Sequence, residues 1–219
     1  MPPTPHQDFT GQTATKTSLA EQNSTTLLEL ETGHAPQKPV TPPAALSVVD
    51  FWIEAGPQLW FAKDDDFDRR FCDRFLMLYL AAARGDLIDW LETPKGSLAL
   101  LLLLDQFPRN AFRGTPKMYA TDAMARRMAD TAIRAGHDRA VPDELAVFFY
   151  LPFSHSENLA DQERAVMLNR RLGEPALSHA QRHCSIVRRF RRFPHRNPVL
   201  GRRMTEEEQR FLDEGGFAG

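Results

Sequence analysis

The stretch GSLALLLLLDQFPRN (residues 96–110) decides the fold class of this chain. Its aliphatic run, Leu98 to Leu104, is seven residues long, which is about a third of the length that a membrane-spanning helix requires. The run is apolar on nearly all sides, whereas a helix at the surface of a protein carries a polar face. The stretch therefore predicts a buried helix at the centre of a helical protein.

Helix signals extend in both directions from this stretch. Phe67, Phe71, Phe75 and Leu78 recur at spacings of four and three, which is the period of one helical face. Aspartates stand at the start of this segment and Gly85 follows it, as expected at the two ends of a helix. Convincing period-two runs are missing. The sequence therefore predicts an all-α protein of about eight helices, arranged as stacked antiparallel helix pairs.

Two of the predicted helices have boundaries that bear on the site. Thr115 and Pro116 have the character of a cap and a first turn, so we expect a helix from there to Gly136. A second helix is expected to run from Leu177 to Phe193 and to end before Pro194.

The first 44 residues differ in composition from the rest of the chain. They are rich in Pro, Thr, Ser and Gln, and they contain one aromatic residue, Phe9, and no arginine. Such a segment has too little apolar surface to offset the entropy lost on ordering. We therefore expect a disordered tail over residues 1–44 and a helical domain over residues 45–219.

Bulk composition narrows the classes of function. The formal net charge is -2, which is unusual for a dedicated nucleic-acid binder, and no run is long enough to cross a membrane. We therefore expect neither nucleic acid nor membrane as a partner.

Cys72 and Cys184 form no disulfide framework or metal clip, and no secretory signal opens the chain. These features predict a cytoplasmic protein with free thiols. The sequence does not indicate an oligomeric state.

Asp105 follows the aliphatic run, near the predicted C-terminal end of its helix, where a negative charge is unfavourable. It therefore needs a cation, and Arg109 is the nearest candidate. One interpretation is a buried structural pair of Asp105 with Arg109. In the other, Arg109 and Asn110 donate hydrogen bonds to a carboxylate or phosphate of a ligand.

The segment LPFSHSENLADQ (residues 151–162) combines a histidine and a carboxylate at a predicted helix break. Pro152 should end one helix, and Ser154 and Glu157 have the spacing of a capping box. Glu157 is then a helix cap. Alternatively, His155, kept neutral by a helix N-terminus, forms an acid/base pair with Glu157.

RRFRRFPHRNPVLGRR (residues 188–203) contains seven arginines and no acid. Its partner is a nucleic acid, a small anion, or carboxylates elsewhere in the chain. The arginines point in several directions around the predicted helix, which disfavours a phosphate-tracking stripe.

His179 and His183 fall on the apolar face of the same helix. Their HxxxH spacing permits a metal site, but without a fixed third ligand we expect core histidines, no metal and no cofactor.

Several of these segments together resemble the bacterial family of unknown function DUF924. The motifs are LALLLLLDQFPRNAFRGTPKMYATD, FFYLPFSHSENLADQ and VRRFRRFPHRNPVLGRRMTEEEQRFL, with VVDFW and FDRRF upstream. The resemblance covers roughly residues 46–215. It implies an all-helical, tetratricopeptide-like superhelix. The family motif reads RFGRFPHRN, and this chain has Arg191 in place of the glycine.

The residues point most strongly to a polar pocket for a small anionic molecule, which the protein binds and, if it is an enzyme, transforms. We expect His155, Glu157 and His195 to move protons. The expected ligand-binding residues are Asp105, Arg109, Asn110, His183, Arg189, Arg192, Arg196 and Asn197. We expect Asp105, Arg109, His155, Glu157, Arg192 and His195 to line one cavity. The alternative is a tetratricopeptide-like interaction module that binds an acidic peptide or tail.

Overall fold

The computed structural model describes residues 38–217 and contains no β-strand among them, so the all-α class is confirmed. Residues 1–37 of the predicted disordered tail lie outside the described residues. The first helix of the described residues, which we call α1, spans Pro43–Ala55 and so begins just before the predicted boundary at residue 45.

The remaining elements follow in chain order. They are α2 (Pro57–Trp60), α3 (Asp65–Arg84), a 3-10 turn (Ile88–Glu92), α4 (Pro94–Leu101), a π-helical turn (Leu102–Gln106), α5 (Phe107–Ala111), a 3-10 turn (Pro116–Tyr119), α6 (Asp122–Arg134), a 3-10 turn (His137–Arg139), α7 (Asp143–Ser154), α8 (Leu159–Asn169), α9 (Ala176–Phe190), a 3-10 turn (Pro194–Arg196) and α10 (Glu206–Asp213).

The predicted central helix is present and buried, but it is not a regular α-helix throughout. The helix continues from α4 through the π-helical turn, where the aliphatic run ends, into α5. Pro108 has no N–H group, so it cannot bond to the carbonyl of Leu104. The Thr121 hydroxyl donates to that carbonyl instead, at 2.6 Å. The Leu104 carbonyl is therefore satisfied where the helix passes Pro108, and Asp105 lies within the helix instead of at its end.

An aromatic cluster joins the first helices to this central helix. Trp52 of α1 lies 5.3 Å from Phe71 of α3 and 5.4 Å from Phe148 of α7, measured between ring centroids. Phe71 in turn contacts Phe107 at 5.3 Å. Such pairs stabilise a core beyond the burial of their area alone. Phe71, one of the periodic phenylalanines, thus packs α3 against both α1 and the central helix.

Consecutive helices pack against one another in the C-terminal half. Helix α6 packs on α7, and α8 packs on both α7 and α9. The tetratricopeptide-like superhelix implied by the resemblance stays a prediction. Within residues 38–217, no helix combines the length and the hydropathy that a membrane crossing requires.

Two predicted helix boundaries are wrong. Helix α6 begins at Asp122 instead of Thr115, because residues 116–119 form a separate 3-10 turn. Helix α9 ends at Phe190 instead of Phe193, because Arg191 adopts a left-handed conformation with φ 63°. This is the C-terminal position that glycine commonly occupies, and it is where the family motif has its glycine.

Candidate functional site

A cavity of about 330 Å³ opens between α5, α7 and α9. We call it the histidine cavity. Its polar wall is formed by Gln106, Arg109, Asn110, Arg113, Ser154, His155, Asn169, His179 and His183. Its apolar wall is formed by Trp60, Phe61, Ala62, Val147, Leu151, Ala176, Ala180 and Phe217. A cavity lined by both polar and apolar side chains suits a small molecule that has a polar head and an apolar body.

A buried carboxylate lies directly behind the polar wall. Asp105 is 1% exposed, and its Oδ1 lies 2.8 Å from His155 Nδ1. The Gln106 side chain donates to the other oxygen at 2.7 Å. Burial raises the pKa of Asp105, but Arg109 and His155 outweigh burial and lower the pKa to about 2. Asp105 is therefore a carboxylate near neutral pH, and it orients the His155 ring.

Arg109 links Asp105 to a second aspartate. Its Nη1 lies 3.2 Å from Asp105 Oδ1 and 3.0 Å from Asp122 Oδ1, and it also donates to the Asp105 carbonyl at 2.6 Å. The buried pair of Asp105 and Arg109, which the sequence offered as one interpretation, is present. Asp122 was not predicted, because its position at the start of α6 was placed inside a longer helix.

His155 lies at the C-terminal end of α7, not at the N-terminus of the next helix. Helix α7 runs through Pro152 and ends at Ser154. The helix continues because Pro152, which has no N–H group, removes only the one hydrogen bond that this group would have donated. A helix C-terminus favours a protonated histidine, so the dipole effect expected from the sequence has the wrong sign. Burial lowers the pKa of His155 instead, and Arg109 lowers it further, against the opposing effect of Asp105.

Two more histidines continue the cluster beyond His155. The ring centroids of His155 and His183 are 6.5 Å apart, and Phe193 separates His183 from His195 with distances of 5.5 and 5.6 Å. Burial lowers the pKa of His183 to about 3 and that of His195 to about 4. All three imidazoles are therefore neutral near neutral pH. Of these, His155 and His183 line the cavity, whereas His195 lies behind it, on the other side of the Phe193 ring from His183.

Glu157 belongs to a different cluster, and its expected roles are corrected. Asn158 caps α8 by accepting from the backbone of Ala160, whereas Glu157 makes no capping bond. Its carboxylate binds Arg202 at 2.6 and 2.9 Å and accepts from the Phe193 N–H at 2.8 Å. Glu157 therefore ties the α7–α8 loop to the segment after α9, and it does not line the histidine cavity.

The arginines of the predicted basic wall are mostly engaged by glutamates outside the cavity. Arg192 binds Glu208 at 2.5 Å, and the exposed Arg189 binds Glu207 at 2.9 Å. Both contacts hold α10 against the end of α9. Arg189 and Arg192 thus lie apart from the cavity. Internal carboxylates are the main partners of this stretch.

Arg196 and Asn197 are buried behind the cavity. The Arg196 guanidinium lies between the rings of Tyr119 and Phe193, at 4.6 and 4.5 Å. Its Nη1 lies 3.7 Å from Asp122, beyond hydrogen-bond distance. Asn197 is fully buried, and its amide contacts the Met204 sulfur at 3.4 Å. Neither residue lines the cavity.

Within residues 38–217, no group of three or more histidine, cysteine, aspartate or glutamate side chains is arranged to hold a metal ion. His179 and His183 both line the cavity. Cys72 and Cys184 are free thiols, as predicted.

Sequence reasoning missed much of the cavity wall. Phe217 lies more than 150 positions after the adjacent residues Trp60 and Phe61, and no pattern along the chain connects them. Phe217 carries one local signal, since it is an aromatic residue directly after two glycines near the end of the chain.

Comparison with known proteins agrees with this fold. The model of a bacterial protein family of unknown function, DUF924, matches residues 48–216. The chain is also similar to a protein of unknown function from Agrobacterium tumefaciens whose structure is solved. The two are 59% identical with a TM-score of 0.77, over 78% of this chain and 97% of the other. None of the curated proteins compared with the chain matches it.

Proposed function

The chain belongs to the bacterial family of unknown function DUF924, and we propose that it binds a small anionic molecule in the histidine cavity, with His155 taking up a proton as the anion enters. The observation that carries the proposal is the 2.8 Å hydrogen bond between His155 Nδ1 and the buried carboxylate of Asp105. That bond fixes one nitrogen of the ring and leaves Nε2 for a ligand.

The protonation state of the empty site follows from this contact. A carboxylate only accepts hydrogen bonds, so Nδ1 of His155 carries the hydrogen and Nε2 carries the lone pair. Burial and Arg109 hold the pKa of His155 below its usual value. The empty cavity therefore presents a neutral imidazole, which accepts a hydrogen bond but does not attract an anion.

Charges around the empty cavity balance one another. Arg109 and Arg113 line it and Arg196 lies behind it, and ion pairs connect these three arginines to three aspartates, Asp68, Asp105 and Asp122. An anion that enters this neutral surrounding is a buried charge without compensation, which is costly. Protonation of His155 supplies the missing positive charge, and Asp105 already holds the Nδ1 hydrogen of the resulting imidazolium. Anion binding and proton uptake are thus coupled.

Hydrogen-bond donors for the anion lie on the same wall. Arg113 binds Asp68 through Nε and Nη2, and its Nη1 makes no hydrogen bond among the described residues. Asn110 offers an amide beside it. A guanidinium edge and an amide suit a carboxylate or a phosphate.

The same imidazole is able to move a proton in a reaction. If the bound molecule carries an ionisable O–H or N–H group near Nε2, His155 acts as general base and Asp105 stabilises the imidazolium. The sequence paired His155 with Glu157 for this role. In the proposal Asp105 replaces Glu157 as the partner of His155, and His195 lies too far behind the wall to touch the ligand.

The acidic-peptide alternative stays a prediction without a contact that favours it. A peptide groove needs a row of free cations, and the arginines at the end of α9 are paired with glutamates. The cytoplasm remains the expected location, in keeping with the two free thiols.

Isothermal titration with acetate, benzoate and inorganic phosphate at pH 6.5 tests the proposal. We expect wild type to bind at least one of these anions and His155→Gln to bind it at least tenfold more weakly. His137→Gln is the matched control, because His137 contacts Ser97 outside the cavity. Equal affinity of wild type and His155→Gln would rule out the role of His155.

A further inference from the structure

After α10 the chain turns back onto the histidine cavity. Gly215 adopts a left-handed conformation with φ 82°, and the Gly216 N–H donates to the carbonyl of Phe211 at 2.8 Å. Phe217 follows directly. We call residues 215–217 the C-terminal turn.

The path of this turn requires glycine at both positions. The conformation of Gly215 is one that residues with a side chain adopt at a cost. A Cβ atom on Gly216 would lie 2.6 Å from two carbons of the Phe211 ring, closer than van der Waals contact allows. Two separate constraints therefore direct the chain toward the cavity, so the position of Phe217 is specified by the sequence.

Phe217 closes the cavity on its histidine side. The centroid of its ring lies 4.6 Å from that of His183 and 5.2 Å from that of His195. The same ring forms part of the apolar wall, together with residues of α2 and α7. Phe217 thus packs against two partly buried imidazoles and also lines the cavity.

We propose that Phe217 is the specificity-determining residue of the histidine cavity and that it selects anions with an aromatic body, such as aryl carboxylates. The part of this inference that concerns the ligand rests on the proposed function. The anionic head meets the polar wall near His155, and the aromatic body packs between the Phe217 ring and the other residues of the apolar wall. Aromatic pairs in offset or edge-to-face contact gain stability beyond the burial of area.

The attachment of Phe217 allows ligand entry. Helix α10 is held to α9 by the pairs Arg189–Glu207 and Arg192–Glu208 and by the contact between Phe190 and Phe211 at 5.1 Å. The glycine pair follows these contacts. Rotation about Gly215 and Gly216 therefore moves the Phe217 ring off the histidines while α10 stays in place.

Labelling of histidines in the full-length protein tests the covering role without any ligand. Diethylpyrocarbonate modifies accessible neutral imidazoles, and peptide mass spectrometry assigns each site. We expect Phe217→Ala and Gly216→Val each to raise the labelling rates of His183 and His195 several-fold. His137, outside the cavity, is the internal reference, and Met167→Ala, an exposed residue on α8, is the control variant. Unchanged rates at His183 and His195 in both variants would show that Phe217 does not cover them.

Binding of matched anions tests the specificity. We expect wild type to bind phenylacetate more tightly than acetate, and Phe217→Ala to reduce this preference about tenfold. A preference that is the same in wild type and Phe217→Ala overturns the inference. His155→Gln separates the two proposals: it should weaken both anions equally and leave the labelling of His183 and His195 unchanged. If instead His155→Gln binds both anions like wild type while Phe217→Ala loses the preference, the proton role fails and the role of Phe217 stands.

Discussion

Replacement of Arg191 by glycine should stabilise the protein. Arg191 ends α9 in a left-handed conformation, φ 63° and ψ 7°, which costs an L-residue with a side chain about 1–2 kcal/mol. Its side chain is exposed and makes no hydrogen bond or ion pair among the described residues, and its N–H bond to the Val187 carbonyl at 2.8 Å survives the change. Greater freedom of glycine in the unfolded chain offsets about half of the gain.

The net gain is then about 0.5–1 kcal/mol, which raises the Tm of a domain of this size by about 2–3 °C. Urea and thermal unfolding followed by circular dichroism measure it. Arg191→Ala is the control, because alanine removes the same charge and keeps the unfavourable conformation. The reasoning is refuted if the glycine and alanine variants have the same stability, or if the glycine variant is less stable than wild type.

Two further predictions concern stability. We expect the free energy of unfolding to fall as the pH is lowered from 6.5 to about 4. His183 and His195 have pKa values of about 3 and about 4 in the folded protein and near 6.5 in the unfolded chain, so the unfolded chain binds more protons in this range. In urea titrations, the stability of the His183→Gln, His195→Gln double variant should depend less on pH than that of wild type. In urea unfolding, Arg192→Ala should lower the free energy of unfolding by about 1–3 kcal/mol, because it leaves the buried carboxylate of Glu208 without its cation. Arg189→Ala breaks only the exposed pair with Glu207 and should lower it by less than about 0.5 kcal/mol. Equal losses in the two variants would contradict the role assigned to burial.

Much of the fold was predictable from local patterns. The aliphatic run around Leu101 and the periodic phenylalanines of α3 identify buried helices without any knowledge of their neighbours. Helix ends were predictable where a residue type dictates them, as at Gly85. They were not where a residue adopts a conformation against its preference, as Arg191 does, or where a helix passes a proline because a neighbour such as Thr121 satisfies the released carbonyl.

The sequence predicted which side chains of the candidate site need a partner, but it predicted fewer of the partners themselves. A carboxylate at position 105 requires compensation, and that reasoning found Arg109. The contact with His155 spans 50 positions along the chain, and no spacing rule connects the two residues. Glu157 had an equally plausible local interpretation as a helix cap, but the cation that binds it, Arg202, lies 45 positions away. Long-range pairing of charges is decided by packing, which a sequence pattern does not encode.

Proton uptake on anion binding tests the central claim most directly. Benzoate is titrated into the protein at pH 7.5 in two buffers with different enthalpies of ionisation, and the difference in heat gives the number of protons taken up. Because burial and Arg109 lower the pKa of His155, the ring starts neutral at pH 7.5, and we predict the uptake of close to one proton by wild type and of none by His155→Gln. Binding of benzoate without proton uptake, or with the same uptake in His155→Gln, would contradict the account.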